Sequence, residues 1–238
     1  MQAYNLGVMS DVLAYYIKAH KPDLVINKYR FETLFHLAQL RHYKQKIGLP
    51  EEYRPGMPIT AQSFELTKVI MDDLLPFKVS MWDDDVSALQ VNANGKADLP
   101  KGYYYPSVLS YRQMVGDEEV WGPVGVLNDK LFEERIASHL TKPNKDFPVC
   151  NFQATYIRFA PKNLRFVRFI YLKLPPKPVY GTTFSRGYTA YDPSTSTELL
   201  WNDTNCLDIL MLVLKDLGIT IPLQDLYQVA DKAKIEGV

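Results

Sequence analysis

The chain has 238 residues, 27 basic and 27 acidic side chains and only two cysteines, Cys150 and Cys206, which is long enough to bury a sizeable core without covalent staples. Two cysteines exclude a disulfide framework and point to two buried thiols in a reducing compartment, while balanced charge argues against a surface given over entirely to nucleic acid. The longest unbroken apolar run, 209–214, falls far short of the ~20 residues that span a bilayer, and residues 1–13 carry no basic stretch leading into an apolar one; the expectation is a soluble protein made in the cytoplasm, without membrane contact.

The first third reads as helices. Ser10 caps a helix over 11–20, and Asn27 caps a second one running to Lys46 with Gly48 as its stop. In that second helix Phe31, Leu34, Phe35 and Ala38 form an apolar stripe, which leaves Glu32, His36 and Gln39 on the wet side. Prolines 50, 55 and 58 with Gly56 make 49–58 a linker. Thr60 then caps a third helix carrying Leu66, Val69, Ile70 and Leu74, ended by Pro76. From there the period changes. Runs at 77–82, 86–91, 119–121, 154–160 and 165–174 are β-branched and aromatic and read as strands. Turns at 92–95 and at Pro161-Lys162-Asn163 read as hairpins. One helix over about 128–140 interrupts them, with Leu131, Phe132, Ile136 and Leu140 as its apolar side. Residues 175–196 form a long loop rich in Pro, Gly, Ser and Thr that still holds Tyr180, Phe184, Tyr188 and Tyr191. Asp203 or Thr204 caps an apolar helix closed by Gly218, and a final amphipathic helix carries Leu223, Leu226, Tyr227 and Ala230. The resulting fold class is α+β: a helical bundle built from 1–76 and 203–238, with a β-rich module over 77–202 inserted between them.

No residue pattern points to catalysis, a cofactor or a metal. A Gly-rich phosphate loop, G-x-S-x-G, H-E-x-x-H and C-x-x-C are all missing, and the four histidines are scattered. The cluster Asp83, Asp84 and Asp85 reads as a solvated turn rather than a cation loop, because residues 86–90 are strand-like and break the Ca²⁺-loop spacing. Charge is sorted instead. Residues 147–191 hold seven bases and no acid, whereas 65–134 hold thirteen acids and six bases. Opposite blocks of this kind either face each other within one subunit or bind copies head to tail. The basic block, with Arg158, Lys162, Arg165, Arg168 and Lys173, alternates with Phe159, Phe166, Phe169 and Tyr171 on the expected hairpin 154–174. Such a surface suits a protein partner, or alternatively the stacked bases and phosphates of a nucleic acid. Sixteen tyrosines, among them Tyr103, Tyr104 and Tyr105, favour protein interfaces over simple core filling. The partner-contact candidates are therefore those five bases with Tyr180, Phe184 and Tyr188, the three aspartates, and the three consecutive tyrosines. A small-molecule enzyme with an unrecognised site stands as a third class.

Several segments are similar to one family. Glu52-Tyr53-Arg54-Pro55-Gly56-Met57-Pro58 followed by Asp72-Asp73-Leu74-Leu75-Pro76-Phe77, then Pro148-Val149-Cys150, Tyr156-Ile157-Arg158-Phe159-Ala160-Pro161, Tyr171-Leu172-Lys173-Leu174-Pro175, Tyr191-Asp192-Pro193-Ser194-Thr195-Ser196 and Leu214-Lys215-Asp216-Leu217-Gly218-Ile219, resemble in the same order virion structural proteins of crAss-like phages that infect gut Bacteroides. Residues 1–22 depart from that pattern. The resemblance implies a ring protein of the tail or neck, a head–tail connector of dodecameric kind without enzymatic residues or cofactors. Its implied partners are copies of itself, portal, ring, tail-hub or tail-barrel proteins, and DNA in transit by non-specific contact. Its implied place is the virion.

Overall fold

A computed structural model of the chain describes residues 4–48, 72–81, 88–115, 118–164, 166–185 and 188–236. In chain order the elements are α1 (Leu6–His20), α2 (Lys28–Gly48), β1 (Lys78–Met81), β2 (Leu89–Gln90), β3 (Lys96–Asp98), β4 (Tyr103–Val115), β5 (Glu118–Pro123), β6 (Gly125–Val126), α3 (Asp129–Ala137), β7 (Val149–Phe152), β8 (Tyr156–Ala160), β9 (Phe166–Lys173), β10 (Thr182–Ser185), β11 (Tyr188–Tyr191), α4 (Asp203–Asp216) and α5 (Leu223–Glu236). The fold is α+β. It divides into a helical unit, Met1–Pro76 with Pro175–Val238, and a sheet unit, Phe77–Leu174. The division falls at Pro175 rather than after residue 202, so the long loop belongs with the helices. The linker 49–58 and the helix expected after Thr60 lie outside the described residues.

In the helical unit, α1 begins earlier than the cap expected at Ser10. Asn5 Oδ1 accepts the Val8 N–H at 2.9 Å, and the extra turn buries Leu6, Val8 and Met9. Asn27 caps α2 through the Arg30 N–H at 2.8 Å. Asn202, one residue ahead of the expected cap, does the same for α4 through Asn205 N–H at 2.9 Å. Gly218, at φ +72°, takes the left-handed step that lets the Ile219 N–H reach the Leu214 carbonyl at 2.9 Å and close α4. Around α4, Cys206, Ile209, Leu210 and Val213 are sealed together with Phe35, Ala38 and Tyr43 of α2, Leu13 of α1 and the large side chain of Trp201. Complete burial of Trp201 and Phe35 is worth about 1.5–3 kcal/mol or more for each ring.

The sheet unit is two sheets sharing one core. One sheet has the order β1-β9-β4-β5, with β2 also pairing β9; the other runs β3-β8-β7-β6. Leu109, Tyr111, Val167, Phe169 and Tyr171 from the first sheet and Ala97, Cys150, Ile157 and Phe159 from the second are buried in a single cluster. β4 is a thirteen-residue strand that the hydrophobic pattern did not signal, because its register on β9 shifts between Tyr103 and Tyr105 and again between Pro106 and Val108 and the period-2 alternation is lost.

Two further expectations are corrected here. Residues 161–164 do not close a hairpin: β8 pairs with β3 and β7, whereas β9 pairs with β1, β2 and β4. Both strands bury their odd-numbered residues in the same core from opposite sides, so the turn crosses from one sheet to the other. The helix expected over 128–140 ends at Ala137, where Ser138 leaves helical geometry (ψ 135°). Leu140 therefore never joins an apolar stripe, and of the expected set only Phe132 is buried.

Both thiols are free and buried. Burial pushes each up to about 12, with Asp203 and Glu198 adding to the effect at Cys206, so neither is a nucleophile in the folded chain.

Candidate partner-contact site

The side chains nominated by the sequence do not form one surface. Arg158 leaves the outer face of the β8 sheet, where its guanidinium meets Glu133 Oε1 at 2.5 Å and lies 5.0 Å from the Phe132 ring. Arg168 leaves the outer face of the other sheet, 5.6 Å from the Trp121 ring. Because the two sheets face inward on one core, these bases point to opposite sides of the unit. Lys162 is exposed on the crossover and Lys173 at the end of β9. Arg165 and the three aspartates 83–85 lie outside the described residues.

Two of the tyrosines are structural. Tyr103 sits among Phe152, Phe169 and Tyr171 at 5.7, 5.8 and 5.9 Å, and burial lifts its phenol to about 12. Tyr104 is half-buried, and Tyr105 is 54% exposed. Tyr180 packs edge-on against Phe31 at 5.3 Å and against Tyr191 at 5.0 Å. Tyr188 begins β11 opposite Ser185, and Phe184 stands exposed on β10 of the same hairpin.

The loop 175–196 is not a free arm. It lies along the side of α2 that the sequence marks as wet. The Tyr180 N–H donates to Glu32 Oε1 at 3.0 Å, Lys177 Nζ is 4.0 Å from Glu32 Oε2, and Gln39 Nε2 donates to the Pro176 carbonyl at 2.6 Å. Glu32 and Gln39 are consequently buried. Seven residues apart, they lie two turns along one helix face and satisfy backbone groups at the two ends of the extended segment 176–180. Farther along, Val179 bridges Thr197, Gly181 N–H donates to Ser196 Oγ at 2.9 Å, and Glu198 holds both the Leu6 N–H at 2.8 Å and the Tyr191 hydroxyl. Burial pushes the Glu198 carboxyl above its ordinary value, against the Leu6 amide. Among the described residues, β10 and β11 pair with each other and with no other strand.

Between α1, the segment 21–27, the start of α2 and Tyr180 runs a groove of about 440 Å³. Pro22 prevents α1 from continuing, and Lys21 ties the turn down, its N–H to the Ile17 carbonyl at 2.7 Å and its ammonium to the Leu217 carbonyl. The floor is Leu13, Ile17, Leu24, Ile26 and Phe31, and Lys18 and Lys28 stand at the rim. Val25, which also lines it, is 81% exposed, and Tyr29 in the first turn of α2 70%.

The sheet unit also displays large apolar side chains. After α3 the chain folds on itself through polar side chains: Ser138 Oγ accepts the Thr141 N–H at 3.1 Å, and Asn144 Oδ1 accepts the N–H groups of Asp146 and Phe147 at 2.9 and 2.8 Å. That local scaffold displays Leu140 at 98% and Phe147 at 74% exposure. Sequence reasoning passed over Val25 and Phe147 and placed Leu140 on the apolar side of a helix that ends before it. For Val25 and Phe147 the available signal was Pro22, Asn144 and Pro148 around them, which mark loops where an isolated apolar residue has no stripe to join.

Among the described residues no group of three His, Cys, Asp or Glu side chains converges as a metal site, and no helix is long and apolar enough to cross a membrane. Comparison with protein-family models gives no match for this chain, and comparison with curated proteins gives none.

Proposed function

We propose that this chain is a structural subunit of a homo-oligomeric ring in the tail or neck of a phage virion, linking portal and tail-barrel components and forming part of the passage for DNA. The observation that carries the reading is the display of large apolar side chains by two units that each already possess a sealed core. Leu140, Val25, Phe184, Phe147 and Tyr29 are between 70% and 98% exposed, and water-facing groups of this size clustered at a groove or on a rigid loop mark surfaces made for other proteins. The sequence resemblance to virion proteins of crAss-like phages supplies the setting. Function on this reading is architectural, with no bond made or broken.

The alternative of a nucleic-acid surface on one basic hairpin loses its geometric support, since Arg158 and Arg168 leave opposite faces of the sheet unit. Negative-stain electron microscopy of the purified chain, alone and mixed with the portal and tail-barrel proteins of such a phage, tests the proposal. Rings of uniform diameter are expected in at least one of the two preparations. Dispersed single particles in both overturn it.

A further inference from the structure

The segment that covers α2 continues into a sheet edge beside the groove. It runs antiparallel to α2, from Pro176 at Gln39 to Tyr180 at Glu32, so Thr182 comes next in the direction of Lys28. Tyr180, Thr182 and Lys28 all line the groove. Backbone groups alternate in direction along an extended chain. The Gly181 carbonyl accepts the Asp192 N–H at 3.0 Å, on the side where β10 meets β11, whereas the Tyr180 N–H points the other way, to Glu32. Thr182 and Phe184 share the direction of Tyr180. Their N–H and carbonyl groups therefore make the outer edge of β10, and among the described residues no strand pairs with that edge. A hairpin of two strands is marginal in water, and a third strand resting on an apolar surface is what such an edge lacks.

The groove supplies that surface. Its floor is Leu13, Ile17, Leu24, Ile26 and Phe31, and the charged side chains that line it are Lys18 and Lys28. On the surrounding elements Lys21 and Arg30 add to the positive sign, Asp11 and Asp23 oppose it, and Glu32 and Lys177 offset each other. The balance is positive, and both groups at the groove itself are ammonium ions.

We propose that the outer edge of β10 receives an extended, acidic segment of another protein as a third strand, with its alternate apolar side chains on the groove floor and carboxylates at Lys18 and Lys28. Main-chain hydrogen bonds to Thr182 and Phe184 supply affinity for any extended chain, while the floor and the lysines select one that is apolar on one face and acidic. This assignment rests on the reading of the chain as an assembly subunit and names the chemistry of the neighbour it holds.

Titration of the purified chain with the peptide acetyl-Glu-Val-Glu-Val-Glu-Val-Glu-amide, and with its counterpart carrying Lys in place of each Glu, tests it. The acidic peptide is expected to bind at least about tenfold more tightly than the basic one, and hydrogen exchange followed by NMR should slow at least about tenfold at the Thr182 and Phe184 amides when it binds. Lys18→Gln with Lys28→Gln, both at exposed positions, should keep the wild-type circular dichroism and bring the two peptides to equal affinity. The proposal is overturned by an acidic peptide that does not bind up to about millimolar concentration, by equal binding of the two peptides to the wild type, or by binding that leaves both amides exchanging as before. None of these results bears on ring formation with portal and tail-barrel proteins. Conversely, dispersed particles in that experiment together with peptide bound in this one leave a peptide-binding module in place of a ring subunit.

Discussion

The two units place their charged side chains differently. On β8 and β9 of the sheet unit parity decides: Ile157, Phe159, Val167, Phe169 and Tyr171 fill the core and the bases between them are sent outward, where their partners are surface groups such as Glu133 and the Trp121 ring; Ser110 and Asn151 are the polar side chains that this unit buries among its described residues. The helical unit instead takes Glu32, Gln39, His42 and Asn205 out of water and gives them specific tasks. Glu32 and Gln39 anchor an extended segment, and His42 Nε2 donates to Asn205 Oδ1 at 2.9 Å, joining α2 to α4. Nearby, Lys46 and Asn202 both bind Asp73 at 2.7 Å; burial opposes ionisation of that carboxyl, but these bonds outweigh it and its titration lies below the ordinary value. Charge on a sheet face is easily placed and weakly bound, whereas a polar group under a covering segment is strongly destabilising to remove.

That contrast can be broken or sharpened by substitution. The largest effects are expected where the units are alike: Trp201→Ala in the helical core and Phe169→Ala in the sheet core each leave a cavity that costs about 3–5 kcal/mol, measurable by urea titration with circular dichroism. Next come changes under the covering segment. A methyl group at position 181 would lie 2.5 Å from the Asp192 carbonyl oxygen and 2.7 Å from the Ser196 nitrogen, both backbone atoms, so Gly181→Ala should cost about 1–3 kcal/mol and speed proteolysis within 175–200. Gln39→Ala leaves the Pro176 carbonyl without its donor at a site that is 1% exposed, for a similar loss of about 1–3 kcal/mol.

A pH experiment separates the helical unit from the sheet unit more finely. Burial holds the His42 imidazole below its ordinary 6.5, against a smaller upward pull from Asn205. A histidine whose folded value is depressed leaves the fold at full stability above the unfolded value, and that stability drains away as pH falls from about 6.5 toward the folded value. His36 is lowered as well, by burial and by Lys177, while the raised Glu198 and Asp11 act with the opposite sign. The comparison of wild type with His42→Gln isolates one contribution: the variant should lose less stability between pH 7 and 5.5, and equal losses would remove His42 from the account. The smallest effect belongs to the sheet surface. Arg158→Ala breaks an ion pair whose partners are 40% and 62% exposed and should change stability by no more than about 1 kcal/mol.

Legibility in the sequence divides along the same line. Strand parity in β8 and β9, the Asn27 cap and the Gly218 stop are local properties of the chain, and they could be read directly. The crossover at 161–164 could not, because a short turn between two period-2 runs looks the same whether the strands pair or part into two sheets. The wet side assigned to α2 failed for a related reason: Glu32 and Gln39 have the amphipathic phase of solvent-facing residues, and only a segment some 140 positions away removes them from water. The contact candidates fared unevenly. Phe184 and Tyr105 are exposed as expected, whereas Tyr103 and Tyr180 are packed among other rings, since aromatic content alone does not distinguish an interface from a core.

The division of the chain also sets an order of events during synthesis. Residues 77–174 are contiguous, so every strand of the sheet unit leaves the ribosome before the covering segment and the last two helices do. α1 and α2 emerge first yet find α4, α5 and the backbone of Pro176 and Tyr180 only at the end. For most of translation their apolar stripes are therefore held open, even after the sheet unit is able to close. A nascent chain halted just after Leu174 has cleared the exit tunnel would carry a finished sheet unit and an unfinished pair of helices, and chaperone demand should be concentrated on that pair.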